Sequence, residues 1–205
     1  MSITLHKGDL PKDLNFGDSV AVDTETLGLN PARDRLCVVQ LSAGDGTAHL
    51  VKFDAGAGYD APNLKALLTD PKVTKVFHYA RFDIAALKAY LEIDCTPVYC
   101  TKIASKLSRT YTDRHGLASL TKELLGIELD KGQQSSDWGA DTLSEEQKKY
   151  AANDVLYLHQ LKEKLDSMLE RESRKDLAVA LFKCLPARAW ADLEGWADID
   201  IFSHD

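Results

Sequence analysis

The sequence contains no apolar run approaching the roughly 18 residues that a membrane-spanning helix needs, so no such helix is expected. Its four cysteines, Cys37, Cys95, Cys100 and Cys184, form no C-x-x-C pair and no zinc-ligand spacing with the six histidines. That sets aside a disulfide framework and a structural zinc, and points to reduced thiols in a cytoplasmic protein. The first residues, Met1 to Lys7, lack the basic-then-apolar layout of a secretory leader. Basic residues are not in excess either: 25 Lys and Arg face 32 acids, a net charge of −7. A protein that grips long nucleic acid usually shows a basic surface, so any nucleic-acid substrate here is short or is met by local cations. Internal repeats and low-complexity segments are also missing. What remains is 205 residues, 44% hydrophobic and 28% charged, enough for one globular domain with a substantial core.

The chain is organised around Val20 to Leu29, VAVDTETLGL. Val20, Ala21 and Val22 are apolar and β-branched at the ends, as in a buried strand. That strand delivers Asp23 and Glu25, spaced i and i+2, so both carboxylates face one side. Two like charges at the end of a core strand are costly unless a cation offsets them. Oxygen-only donors suit a hard ion such as Mg²⁺ or Mn²⁺. Alone, a D-x-E is equally a loop entrance or a ribose-binding acid, so the metal reading needs further residues.

Ile3 to His6 reads as a short edge strand, Ser19 to Glu25, Leu36 to Leu41 and Thr47 to Phe53 as three more. The short loops 28–35 and 42–46 suggest that these three run antiparallel. A short helix over Asn63 to Leu68 leads to a strand at Val73 to Phe77, parallel to the first of the three through that crossover. From His78 the chain reads as mostly helical: Arg81 to Leu91, Thr101 to Leu107, and Leu117 to Leu125 stopped by Gly126. After a polar loop over Lys131 to Ala140, Ser144-Glu145-Glu146-Gln147 is a capping box that opens a long helix to about Leu165. Its buried stripe is Ala151, Val155, Leu158 and Leu165. Glu170 to about Cys184 forms a last helix, followed by Leu185-Pro186 and by Trp190, Trp196 and Phe202, which need cover from the body or from a second subunit. The expected fold class is α/β, a mixed central sheet flanked by helices. The expected division is a domain over residues 1–168 and a helical C-terminal extension over 169–205.

Three residues join the opening pair. Asp83 sits in the first turn of the helix after Val73–Phe77, a place the helix dipole alone favours for an acid. Tyr150 and Asp154 lie one turn apart on a single face of the capped helix. A Tyr there is commonly core, and a half-buried Asp wants a positive partner. Together, four carboxylates from a strand, an early helix and a late helix meet one sheet end, the donor set for two divalent cations about 4 Å apart.

Asp23-Thr24-Glu25, the Asp83 of His78-Tyr79-Ala80-Arg81-Phe82-Asp83, and Tyr150-x-x-x-Asp154 resemble the three motifs of the DEDD exonucleases. A Tyr four residues before the last Asp marks the DEDDy branch, which includes ribonuclease D. Lys131 to Trp138, KGQQSSDW, is similar to the loop before the last motif of ribonuclease D. This likeness covers about Val20 to Leu165. The chain departs from ribonuclease D in lacking length for that enzyme's helical RNA-binding domains, and in having Cys100-Thr101 where Asp-Thr is usual. The segments CTKIASKL from Cys100, RTYTDRHGL from Arg109 and the Trp196 to Phe202 tail resemble the nanoRNase C family over essentially the whole chain.

That resemblance implies a ribonuclease H-like fold, hydrolysis of very short RNA with dinucleotides preferred, and a ring-like homo-octamer without membrane attachment. Trimming of other 3′ ends of RNA or DNA is the alternative, and a nuclease-dead oligomeric scaffold a third. It implies a first metal on Asp23, Glu25 and Asp154, a second on Asp23 and Asp83, and Tyr150 hydrogen-bonded to the attacking water. Leu29 falls where the family places a wedge between the two bases, though a buried loop Leu is an equally ordinary reading; His78 beside the sheet end is expected either to meet sugar or base or simply to bond backbone. Arg114, Lys131 and Ser136 are the expected contacts to the 5′ phosphate; a solvated loop explains these three equally well.

Overall fold

The computed structural model describes residues 2–130, 132–133 and 135–204. Six strands, β1 (Ser2–Lys7), β2 (Ser19–Thr26), β3 (Leu36–Ser42), β4 (Thr47–Lys52), β5 (Thr74–Phe77) and β6 (Val98–Cys100), form one sheet in the order β1-β4-β3-β2-β5-β6. β2 pairs antiparallel with β3 and parallel with β5, so the sheet is mixed and changes sense at β2. Val20, Ala21 and Val22 are fully buried there, and every residue of β3 is buried, as expected of inner strands covered on both faces. The register of β2 against β3 shifts between Glu25 and Thr26, ending regular pairing where the carboxylates emerge.

Helices α1 (Pro62–Thr69), α2 (Ala80–Leu91), α3 (Thr101–Ser108), α4 (Leu117–Leu125), α5 (Glu145–Leu156), α6 (Leu158–Arg171) and α7 (Lys175–Ala191) flank the sheet. The larger core joins Val20, Val22, Phe77, Ile84, Val155 and Leu161, and a smaller one sets Trp138, Leu143 and Ala151 over Cys37, Val38 and Leu50. Ser144 caps α5 reciprocally with Gln147, fixing where the helix that carries Tyr150 and Asp154 begins.

Three expectations change. The stretch after His78 also contains β6, a three-residue strand whose buried Val98, Tyr99 and Cys100 are too few to show a period. The long helix breaks at Tyr157 (φ −107°, ψ −1°) because its two parts cover different surfaces, α5 lying on β3 and β4, α6 on α3 and α4. The last helix runs through Pro186 to Ala191, because burial of Phe182, Leu185 and Ala189 holds it against the lost backbone hydrogen bond.

Beyond α7, the single π turn Asp192–Trp196 is tied back by Arg81, which donates to Asp192 (2.5 and 2.8 Å) and to the Ala197 carbonyl (2.6 Å). Trp190, Trp196, Ile199, Ile201 and Phe202 nevertheless stay exposed. Among the described residues no helix is long and apolar enough to cross a membrane.

Candidate active site

The C-terminal ends of β2 and β5, the start of α2 and one face of α5 enclose a cleft of about 790 Å³. Its floor is acidic. Asp23, Glu25 and Asp154 each offer a carboxylate oxygen, and these oxygens lie within 4.8 Å of one another. Asp83, buried in the first turn of α2, accepts a 2.8 Å hydrogen bond from the Thr24 hydroxyl, which holds it against β2. Gln40, opposite Asp23 in register, donates through Nε2 to Asp23 Oδ2 at 3.1 Å. Thus neighbours orient two of the four acids, while Glu25 and Asp154 accept no side-chain hydrogen bond among the described residues.

Among the described residues no Lys or Arg forms an ion pair with these acids, and the proton affinities reflect that. Burial first, then Asp83, Asp154 and Glu25, pushes Asp23 well above the carboxylate range. Burial followed by Asp154 and Asp83 raises Glu25 to about 9. Asp83 and Asp154 rise to about 7, mainly through burial, with Thr24 opposing the change at Asp83. Four such groups do not ionise together at neutral pH unless positive charge enters. An all-oxygen set of this kind suits hard divalent cations such as Mg²⁺ and Mn²⁺. Tyr150, beside Asp154, has its phenol pushed up by burial and by the carboxylates, so it stays protonated.

The cleft wall sorts the other expected residues. Leu29 stands on the rim, 92% exposed, and His78 and Ser136 also line the cleft. Ser136 Oγ accepts from Gln147 Nε2 at 3.1 Å, tying residues 135–140 to the capping box. Arg114 is exposed and does not line the cleft; the following Gly116 to Ser119 does, so the chain enters the wall just after it. Lys131 lies outside the described residues. Four residues went unnoticed in the sequence: Thr24 and Gln40, which hold the acids, and Tyr79 with Lys102. Tyr79 adopts a left-handed backbone (φ 67°) at the N-cap of α2, and Lys102 Nζ sits 4.1 Å from its ring centroid. Both line the cleft, and Lys102 is the one Lys or Arg among its described lining residues. Strain at a cleft-lining non-glycine is a functional signal that only φ reveals.

Residues 8–170 match the sequence pattern of the family described as 3′-5′ exonuclease. The chain belongs to the 3′-5′ exonuclease family. This exonuclease is 35% identical over 185 residues to ribonuclease D of Acidiphilium cryptum, covering 85% of this chain and 46% of that protein. The chain thus spans about half the length of the curated relatives it matches. It is similar over its full length to solved structures of Brucella melitensis NrnC. The form bound to pGG matches at 56% identity and TM-score 0.96, covering 100% of both chains. The form with bound Mg²⁺ matches at 55% and 0.95, again covering 100% of both. The exonuclease therefore has an α/β, ribonuclease H-like fold, a mixed sheet flanked by helices.

Proposed function

We propose that this exonuclease hydrolyses very short RNA, dinucleotides above all, from the 3′ end to release 5′-nucleoside monophosphates. The observation that carries the reading is the floor of Asp23, Glu25 and Asp154, three carboxylate oxygens within 4.8 Å beside buried Asp83. Full-length similarity to a chain bound to pGG supports the short substrate, as does a net charge of −7, which disfavours long polyanions.

Asp23, Glu25 and Asp154 would hold one Mg²⁺ or Mn²⁺ and Asp23 with Asp83 a second, supplying charge that offsets the scissile phosphate and lowers the pKa of water. Gln40 and Thr24 keep Asp23 and Asp83 aimed while substrate enters. Tyr150, held protonated, orients the attacking water by a hydrogen bond and does not take its proton. Leu29, exposed on the rim, inserts between the bases, and Lys102 with Ser136 meets phosphate oxygens. Arg114, two residues before the cleft wall begins at Gly116, and Lys131 are the further candidates for the 5′ phosphate. Residues 1–168 carry this chemistry, and 169–205 form an extension whose exposed Trp190, Trp196 and Phe202 seat a partner copy in a homo-octamer.

A chain-length series tests the reading. With 5′-labelled RNAs from dinucleotide to heptanucleotide, the rate should be greatest for the dinucleotide and nearly independent of salt. A flat profile with steep salt dependence would instead assign the cleft to trimming of longer 3′ ends.

A further inference from the structure

We propose that His78 reads the sugar: its Nε2 accepts a hydrogen bond from a ribose 2′-hydroxyl flanking the scissile phosphate, biasing the site toward RNA over DNA. This rests on the short-RNA reading above and deepens it.

Placement comes first. β5 runs parallel to β2 with Ser19 opposite Thr74, Val20 opposite Lys75 and Ala21 opposite Val76. His78 follows directly on the C-terminal end of β5, the neighbour of the strand that carries Asp23, and lines the same cleft as Asp23, Glu25 and Asp154. The imidazole therefore opens onto the cleft whose floor the acids form. In the short-RNA reading, the sugars on either side of the scissile phosphate are the neutral hydroxyl donors that enter this cleft.

The ring's protonation follows from two contacts. Thr101 Oγ1 donates to the Phe77 carbonyl at 3.1 Å and lies 2.9 Å from His78 Nδ1. A hydroxyl carries one proton. With that proton on the carbonyl, the Thr101 oxygen accepts, so Nδ1 is the ring nitrogen that bears hydrogen. Burial, and after it the charge of Lys102, lowers His78 to about 3, so the ring holds no second proton at neutral pH. Nε2 is left as a bare acceptor, without a partner among the described residues, on a side chain that lines the cleft.

A bare acceptor repels phosphate oxygens and attracts an O–H. Deoxyribose lacks the 2′ donor, so the pairing discriminates. Thr101 is a positioning residue in this scheme: it turns the ring so that the acceptor faces the sugar.

The test compares kcat/KM on a diribonucleotide, its two singly 2′-deoxy analogues and the doubly deoxy form. The wild type should favour ribose by about tenfold, the worth of one neutral hydrogen bond, at whichever of the two positions meets His78. His78→Ala should bring the ribose-to-deoxyribose ratio to about one. Thr101→Val should lower that ratio and Thr101→Ser preserve it, with ¹⁵N NMR showing the Nδ1–H tautomer in the wild type and its loss in Thr101→Val. Retention of the Mn²⁺-induced rise in melting temperature verifies an intact floor in each variant. If His78→Ala does not fold, the wild-type ratios and the Thr101 pair decide. A wild type that cleaves both sugars equally, or a His78→Ala that slows both equally, overturns the inference alone. A wild type that cleaves no dinucleotide overturns the short-RNA reading and this inference with it.

Discussion

Removing a carboxylate from the cleft floor should make the metal-free protein more stable. Asp154 is the best position, because it accepts no side-chain hydrogen bond among the described residues and Asn keeps its shape. Burial and Asp83 raise it to about 7 from an ordinary 3.8. Each tenfold change in proton affinity is about 1.4 kcal/mol, so holding Asp154 ionised in the fold costs at most roughly 4 kcal/mol. The floor is partly open to water and its acids titrate together, so about half of that, ~2 kcal/mol, is the working figure. Because the folded group binds its proton more tightly than the unfolded one, stability is lost as pH rises from about 4 to about 7 and stays lost above. Asp154→Asn escapes that loss. Its melting temperature without metal should exceed the wild type's by roughly 4–8 °C near pH 8 and match it near pH 4.

Cations should reverse the order. At a free concentration 100 times its Kd, a bound ion stabilises the wild type by about 2.7 kcal/mol, and Asp154→Asn, short of one ligand, gains far less. Thermal melts in EDTA and in Mn²⁺ at the two pH values read both effects. An Asp154→Asn protein that melts below the wild type in EDTA near pH 8, or gains equally from Mn²⁺, would refute the account of the floor as mutually repelling acids that await cations.

Tyr150→Phe should lower kcat by about 100-fold with KM nearly unchanged. The shape of the pH–rate profile should survive, since the phenol does not ionise over the working range. Leu29→Ala should lower kcat/KM on dinucleotides about tenfold, the worth of a contact to a base face. Its melting temperature should not move, because the side chain is 92% exposed; a matched fall in stability would mean that Leu29 packs in the body. Trp196→Ser with Phe202→Ser should reduce the particle mass in sedimentation while leaving the helical circular dichroism intact. Unchanged mass would detach the apolar tail from assembly.

The acids were legible because each announces itself locally. Asp23 and Glu25 end an apolar strand, Asp83 opens a helix, and Tyr150 and Asp154 share a face behind a capping box that the structure reproduces. The sheet was legible for the same reason: β2 to β4 alternate or bury throughout, with loops too short for crossovers. Features set by distant neighbours stayed hidden. Nothing around Gln40 marks it as a partner of Asp23; only the antiparallel register puts them opposite. β6 is too short to carry a period, and Tyr157 breaks a helix whose apolar stripe continues unbroken in the sequence.

That contrast bears on how such a site is held. The four acids disfavour the fold unless cations are present, so their geometry must be fixed by groups that gain nothing from the cations. Thr24 on Asp83, Gln40 on Asp23 and Thr101 on His78 are such groups: neutral, mostly fully buried, and anchored on strands or at the first turn of a helix. Neutral supports keep their hydrogen bonds whether the floor is protonated, ionised or loaded with metal, so the cleft keeps one shape through all three states. Charged supports would not: a Lys or Arg in place of Gln40 would neutralise Asp23 and compete with the cation for its oxygens.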